Sequence, residues 1–396
     1  MHRLLLVVGL CLSITLSAFA KEPAIGLRTA LQGFIDQGEL AGVVTFIGDR
    51  AGVLDVQVLG QADREHDLPM RRDSLFRIAS MTKPITALGI MQLVEAGKLS
   101  VNDPVEKHLP EFKGQLLLDK REGDTLTLKK PSRPITVKDL LTHTSGLPVY
   151  PAGLADVYQK RQWTLKETTL AISQSPLMFE PGTKWSYCNP GIDTLGRIIE
   201  VVSGMSYDAY LRANIFHPLG MVDTTPYPTR DQLRRLAVTY GKKDGQLVPT
   251  PGGVLDTPAV PRHPVPAGGL YSTGDDLARL YQCLLNHGTL YGRTIIGSAT
   301  LAEMTRNQTG DLKAGFVDGS VWGYGFGLVG KSQGVTEHVS PGTFGHGGAY
   351  GTQSWADSER GTYMIMLIQR TGLSSSDGSA IRKAVHDAAV TIRRRD

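Results

Sequence analysis

The run Ala41-Gly-Val-Val-Thr-Phe-Ile-Gly48, followed across Asp49-Arg-Ala-Gly52 by Val53-Leu-Asp-Val-Gln-Val-Leu-Gly60, decides how the rest of the chain is arranged. Both runs are rich in β-formers and the link between them has hairpin chemistry, which predicts two antiparallel strands. Before them, Gly26 to Phe34 has the apolar spacing of a helix that ends near Gly38. At the far end of the chain, Gly323 to Val329, Thr343 to Gly347, Gly351 to Ala356 and Thr362 to Gln369 read as strands, and Gly378 to Arg394 as a closing helix. Between these ends the spacing is helical: Ser80 to Ala96, Val137 to Leu141, Leu165 to Ser173 and Thr194 to Val202. The economical solution is an α/β fold, an antiparallel sheet assembled from both chain ends and flanked by helices, with a mainly helical inserted region. The expected division is 21–75 with 266–396 for the sheet region and 76–265 for the helix-rich region, with 21–396 together forming one domain.

Composition narrows the classes of function. The 396 residues are 41% hydrophobic and 20% charged, with 45 Gly and 22 Pro, which is globular composition with many turns and excludes disorder as the main theme. Forty-two basic against 38 acidic residues leave a formal charge of +4, too weak a bias to argue for nucleic acid. Met1-His2-Arg3, an apolar run from Leu4 to Leu16, and the small-x-small pattern of Ala18-Phe19-Ala20 read as a secretory signal cleaved after Ala20. The run is shorter than the roughly 20 residues that span a bilayer, so a periplasmic or secreted protein without a membrane span is expected. Beyond the leader only Cys188 and Cys283 remain, enough for one bridge but not for a disulfide framework. Neither has a CxxC partner and there is no HExxH, so no metal and no cofactor is expected.

The chemistry is sought in short motifs. In Ser80-Met81-Thr82-Lys83, residues three apart share one face of a helix, so the hydroxyl and the amine can meet. A serine hydroxyl needs a base before it attacks, and a desolvated, neutral lysine can be that base. A helix start at Ser80 also turns backbone N–H groups toward a reacting carbonyl. Tyr187-Cys188-Asn189 is the only Tyr-x-Asn: a tyrosine beside a lysine can exchange a proton, and an asparagine amide can hold a lysine or a substrate carbonyl. Taken alone, Asn189-Pro190-Gly191 is also turn chemistry. In His346-Gly347-Gly348-Ala349, glycines on a strand let a substrate backbone approach, and the Ala349 N–H could complete an oxyanion hole with that of Ser80.

In that order and with long gaps, Ser80-x-x-Lys83, Tyr187-x-Asn189 and His346-Gly-Gly resemble the three motifs of the serine β-lactamase and penicillin-binding-protein superfamily, in particular its class C branch with the family VIII esterases. Intervening segments resemble it too: Leu140-Leu-Thr-His-Thr-Ser-Gly-Leu147, Glu180-Pro-Gly-Thr-Lys-Trp185, Pro218-Leu-Gly-Met221 and Ala267-Gly-Gly-Leu-Tyr-Ser-Thr-Gly-Asp-Asp-Leu277. The resemblance spans roughly residues 25 to 392. It implies a β-lactamase-like catalytic domain in which Ser80 is acylated and Lys83 and Tyr187 share the acid and base work. Asn189 would support Lys83 and the substrate, and the N–H groups of Ser80 and Ala349 would bind the oxyanion. The third motif departs from the usual Lys-Thr-Gly. Its cation and hydroxyl are replaced by an imidazole and a hydrogen, which weakens binding of a substrate carboxylate.

Competing signals fail on context. Gly325-Phe-Gly327-Leu-Val-Gly330 matches a dinucleotide fingerprint but lies in a β-like run and opens no helix. His143 sits in a Thr-rich loop, where hydrogen-bonding the loop is the expected role. The expectation is a secreted serine hydrolase working on a small-molecule ester, amide or β-lactam through a Ser80 acyl-enzyme. Its rivals are a β-lactamase or D-amino-acid peptidase proper, an acyltransferase and, from another class, a penicillin-binding-like receptor that does not turn over. Oligomeric state has no signature in the sequence.

Overall fold

The computed structural model describes residues 26–149, 162–251, 264–373 and 376–392; the leader and its cleavage point at Ala20 lie outside them. The chain enters through helix α1 (Leu27–Asp36) and the hairpin β1 (Gly42–Asp49) and β2 (Gly52–Asp63), with a short β3 (Leu68–Pro69) on the outer edge. After the middle of the chain come β4 (Ser320–Trp322), β5 (Gly327–Val329), β6 (Phe344–Gly347), β7 (Gln353–Asp357), β8 (Thr362–Leu367) and helix α5 (Ala380–Thr391). These strands form one eight-stranded sheet in the order β4-β5-β6-β7-β8-β1-β2-β3, antiparallel throughout. The two chain ends meet where β1 pairs with β8, Val44 opposite Leu367 and Ile47 opposite Met364. The fold class expected from the sequence is the one observed.

The period of two along each strand sorts the core into two layers. Val43 and Ile47 of β1 with Met364 and Met366 of β8 pack against Leu27 and Leu31 of α1 and Ile381 and Val385 of α5. Val44 and Phe46 with Ile365 and Leu367 face the other way, into a larger core containing α2 (Thr82–Glu95), α3 (Asn189–Ser203) and α4 (Gly274–Leu285). Both faces are covered, so the central strands are continuously apolar. Among the described residues no helix is long and apolar enough to cross a membrane.

Four local readings change. The expected helix from Ser80 begins as a 3-10 turn, Ala79–Met81, and becomes α-helical at Thr82. Asn189-Pro190-Gly191 opens α3 rather than making a free turn. Proline suits the first turn of a helix, and the Cys188 Sγ accepts the Gly191 N–H. The expected strand from Gly323 is broken at residues 323–326 into β4 and β5, with Gly325 at φ 76°. The region read as helical also holds two hairpins, Leu117–Glu122 with Thr125–Lys129 and Tyr240–Lys243 with Gln246–Pro249.

Candidate active site

The turn bearing Ser80 is clamped between the inner face of the sheet and residues 265–272. Ile78 N–H donates to Leu270 O, and Leu270 N–H to the Thr82 hydroxyl. Ala79 is held at φ 46°, a left-handed conformation that costs a non-glycine residue on the order of 1 kcal/mol or more and needs surrounding structure to maintain it. The turn leaves Ser80 partly exposed at the mouth of the site while Lys83, one helical turn on, is fully buried.

The two side chains predicted to meet do so. Lys83 Nζ lies 3.0 Å from Ser80 Oγ and donates at 2.6 Å to Ala267 O. Burial pushes the amine down from its ordinary 10.5 to about 7, although the Asp193 carboxylate pulls the other way. A neutral amine is therefore accessible near neutrality. Asp193, one turn into α3 and buried, also accepts the Ala267 N–H at 2.9 Å. Asp193, Ala267, Lys83 and Ser80 thus form one connected line.

Tyr187 stands on the other side of Lys83, whose Nζ is 4.6 Å from the centre of the phenol ring. Its position is set by His143. That residue's carbonyl accepts the Ser186 N–H at 2.9 Å, its Nδ1 accepts the Cys188 N–H at 3.2 Å, and its ring lies 4.6 Å from that of Tyr187. His143 thus bonds the segment that carries Tyr187 rather than only its own Thr-rich loop. Burial holds its pKa far below the usual imidazole range. Asn189, at the first position of α3, is partly exposed and is not among the hydrogen-bond partners of Lys83. Ala267 and Asp193 occupy that supporting role in the structure.

β6 brings the third motif alongside. His346 is buried with its ring 6.0 Å from that of Tyr187. Its Nδ1 lies 2.6 Å from Gly347 O, and since a carbonyl only accepts, Nδ1 carries the proton. Burial, with the nearby Lys83 amine, lowers its pKa to about 3, so the ring is neutral over the whole working range. The glycines serve the protein's own packing. A Cβ on Gly347 would stand 2.3 Å from Asp377 Oδ1 and 2.5 Å from Gln353 Nε2, and one on Gly348 2.1 Å from Thr352 Oγ1 and 2.5 Å from Ile78 O. The space expected to admit a substrate backbone is thus filled by these neighbours. The close approach of Gly348 to Ile78 sets the next residue, Ala349, beside the Ser80 turn. Among the described residues, neither the Ser80 nor the Ala349 N–H is donated to another group.

An aromatic wall, which sequence reasoning missed, lines the site. Trp185, Phe316 and Trp322 surround Tyr187 at ring separations of 6.3, 4.9 and 6.3 Å. Trp185 ends the Glu180-Pro-Gly-Thr-Lys-Trp185 stretch, but Phe316 and Trp322 are remote in sequence and carry no local signal. Asp193 had one: a lone acid on the apolar side of a helical run. Cys188 and Cys283 are both buried free thiols. Among the described residues no group of three His, Cys, Asp or Glu is arranged to hold a metal ion.

Comparison with known proteins agrees with the geometry. A family model described as beta-lactamase matches residues 27–389. Esterase EstB of Burkholderia gladioli is 32% identical, over 94% of this chain and 98% of its own length. The lovastatin esterase of Penicillium rubens is also 32% identical, over 67% of this chain and 69% of its own. Among solved structures, EstCE1, described as a hydrolase with promiscuous acyltransferase activity, superposes with a TM-score of 0.76 at 26% identity, covering 91% of this chain and 97% of that one.

Proposed function

Because the chain belongs to the beta-lactamase family and is a serine hydrolase of that type, we propose that it is a secreted carboxylesterase working through an acyl-enzyme on Ser80. The observation that carries the reading is the buried Lys83 amine, 3.0 Å from Ser80 Oγ and with a pKa near 7. In its neutral form Nζ takes the Ser80 proton as Oγ attacks the ester carbonyl. The tetrahedral oxyanion rests on the N–H groups of Ser80 and Ala349. Nζ–H, with Tyr187 sharing the proton, then protonates the departing alcohol and leaves an acyl-Ser80 ester. Water, deprotonated by the same amine, attacks that ester, and Ser80 leaves with the proton restored. Asn189, His346, Gly347 and Gly348 shape the substrate side. The domain performing this work is residues 21–396, delivered outside the cytoplasm after cleavage behind Ala20.

Esters are favoured over β-lactams because the third motif offers no permanent cation for a substrate carboxylate. The test is a fluorophosphonate probe with peptide mapping, beside turnover of p-nitrophenyl butyrate, nitrocefin and a D-Ala-D-Ala peptide. Label on Ser80, absent from Ser80→Ala, with the butyrate ester turned over best, is the expected result. Label on another serine sinks the nucleophile assignment. Strong preference for nitrocefin would put the β-lactamase reading first, and a stable acyl-enzyme without turnover would make the protein a receptor.

A further inference from the structure

Behind the aromatic wall lies a small cavity lined by Phe316, Trp322, His346, Trp355, Asp377 and Arg382. His346 and Phe316 belong both to this cavity and to the ring cluster around Tyr187, so the cavity adjoins that cluster. Besides the indole Nε1–H of Trp322, two of its nearly fully buried side chains each carry a polar nitrogen without a partner among the described residues: His346 Nε2 and Arg382 Nη2. Their polarities are opposite. With Nδ1–H donated to Gly347 O, His346 Nε2 is a bare lone pair and accepts. Arg382 Nη2 can only donate.

The rest of the guanidinium is committed. Its Nε meets His386 Nε2 at 3.1 Å, Nη1 donates to Asp377 O at 2.6 Å, and its plane stacks on Trp355 at 4.2 Å. Asp377 Oδ1, 3.7 Å from Nη1, already balances its charge. The room for the centre of a water-sized group is about 20 Å³, close to what one oxygen atom needs. An unmet buried donor or acceptor is destabilising, so this pair calls for an occupant.

We propose that this cavity selects a neutral hydroxyl on the substrate, which donates to His346 Nε2 and accepts from Arg382 Nη2. A hydroxyl, like a water molecule, satisfies both nitrogens with a single oxygen, and on a substrate it would take the place of that water. A carboxylate fits badly: it has no proton for the Nε2 lone pair, it brings two oxygens where there is room for one, and it would face Asp377. The esters favoured by this site are therefore hydroxylated ones. This rests on the reading of Ser80 as an esterase nucleophile, and the test separates the two.

The kinetic test compares kcat/KM for p-nitrophenyl butyrate, 2- and 3-hydroxybutyrate and hemisuccinate, with ethyl against 2-hydroxyethyl butyrate to sample the alcohol side. At least one hydroxyl should raise kcat/KM about tenfold over its unsubstituted partner, as one hydrogen bond to a charged group would, and the hemisuccinate should fall below butyrate. In His346→Phe the hydroxyl-to-butyrate ratio should collapse to about one. If butyrate is turned over but no hydroxyl gains, the cavity holds a resident water and the proposal is wrong while the esterase reading stands. A preference for hemisuccinate overturns it equally. A second arm does not depend on turnover: nitrogen-15 NMR of histidine-labelled protein should show His346 with its proton on Nδ1 and a bare Nε2. A proton on Nε2 removes the acceptor and with it the proposal.

Discussion

The Ser80 turn and the β6 strand face each other across one site but are built on opposite principles. Around Ser80 the structure spends polarity: a buried amine, a buried carboxylate on α3 and a backbone carbonyl are wired together by short hydrogen bonds. Along β6 it removes polarity: a neutral buried histidine and two glycines pressed against other parts of the chain. In the proposed mechanism the first region holds the bond-making chemistry and the second decides what is bound; the packing around Gly347 and Gly348 accommodates the departure from Lys-Thr-Gly. A threonine at 347 would stand against the ends of the Asp377 and Gln353 side chains, which must shift to admit it.

The largest effect that tests this contrast comes from the polar side. Lys83→Met and Tyr187→Phe should each lower kcat on p-nitrophenyl butyrate by roughly 10²- to 10⁴-fold, and the double variant should be little worse than Lys83→Met, because groups acting as one unit are not additive. Losses that simply multiply would show that the two residues only pack. Stability gives an independent reading. The buried amine holds its proton up to about pH 7 when folded and up to 10.5 when unfolded, so the unfolded chain binds more protons between those values. The penalty is full below pH 7 and fades as pH rises. The melting temperature of Lys83→Met minus that of the natural protein should therefore shrink from pH 7 toward 10; a constant difference would mean the lysine is not desolvated.

On the packed side the expected loss is smaller. In Gly348→Ala the new methyl falls 2.1 Å from Thr352 Oγ1 and 2.5 Å from Ile78 O, so β6 must move away from the Ser80 turn. A shift of about 1 Å at an oxyanion donor costs on the order of 100-fold in kcat, with little change in KM. Wild-type turnover in this variant would show that the approach of β6 to Ile78 is not what places the Ala349 N–H.

What was legible follows the same divide. Strand periodicity in β1, β2 and β8 and the Ser80-x-x-Lys83 spacing are local, so the sheet and the meeting of Ser80 with Lys83 could be read directly. The supports of Lys83 were not, because Ala267 acts through its backbone, which has no side-chain signature, and the one sign of Asp193, a lone acid on the apolar side of a helix, does not say which residue it faces. His143 was read as a loop residue since its bond to Cys188 spans 45 positions. The aromatic wall is assembled from residues as far apart as Trp185 and Trp322. The 3-10 start of α2 depends on the strained Ala79, which tertiary packing enforces against local propensity.

The smallest predicted effect is also the most specific, because it separates charge from geometry within the wired region. Asp193→Asn keeps an oxygen that can accept the Ala267 N–H, so the backbone carbonyl that holds Lys83 should stay in place. What it removes is the negative charge that raises the amine's pKa against burial. With that charge gone the pKa of Lys83 falls below its present value of about 7, and the neutral base persists to lower pH. The acidic limb of the kcat/KM profile for p-nitrophenyl butyrate should therefore move to lower pH, giving relatively more activity at pH 6 in the variant, while the plateau changes by only a few-fold. Asp193→Ala, which also frees the Ala267 N–H, should lower the plateau as well. A limb that stays put in Asp193→Asn, or moves to higher pH, would show that the carboxylate does not set the protonation of Lys83 and that its role is confined to holding the chain at Ala267.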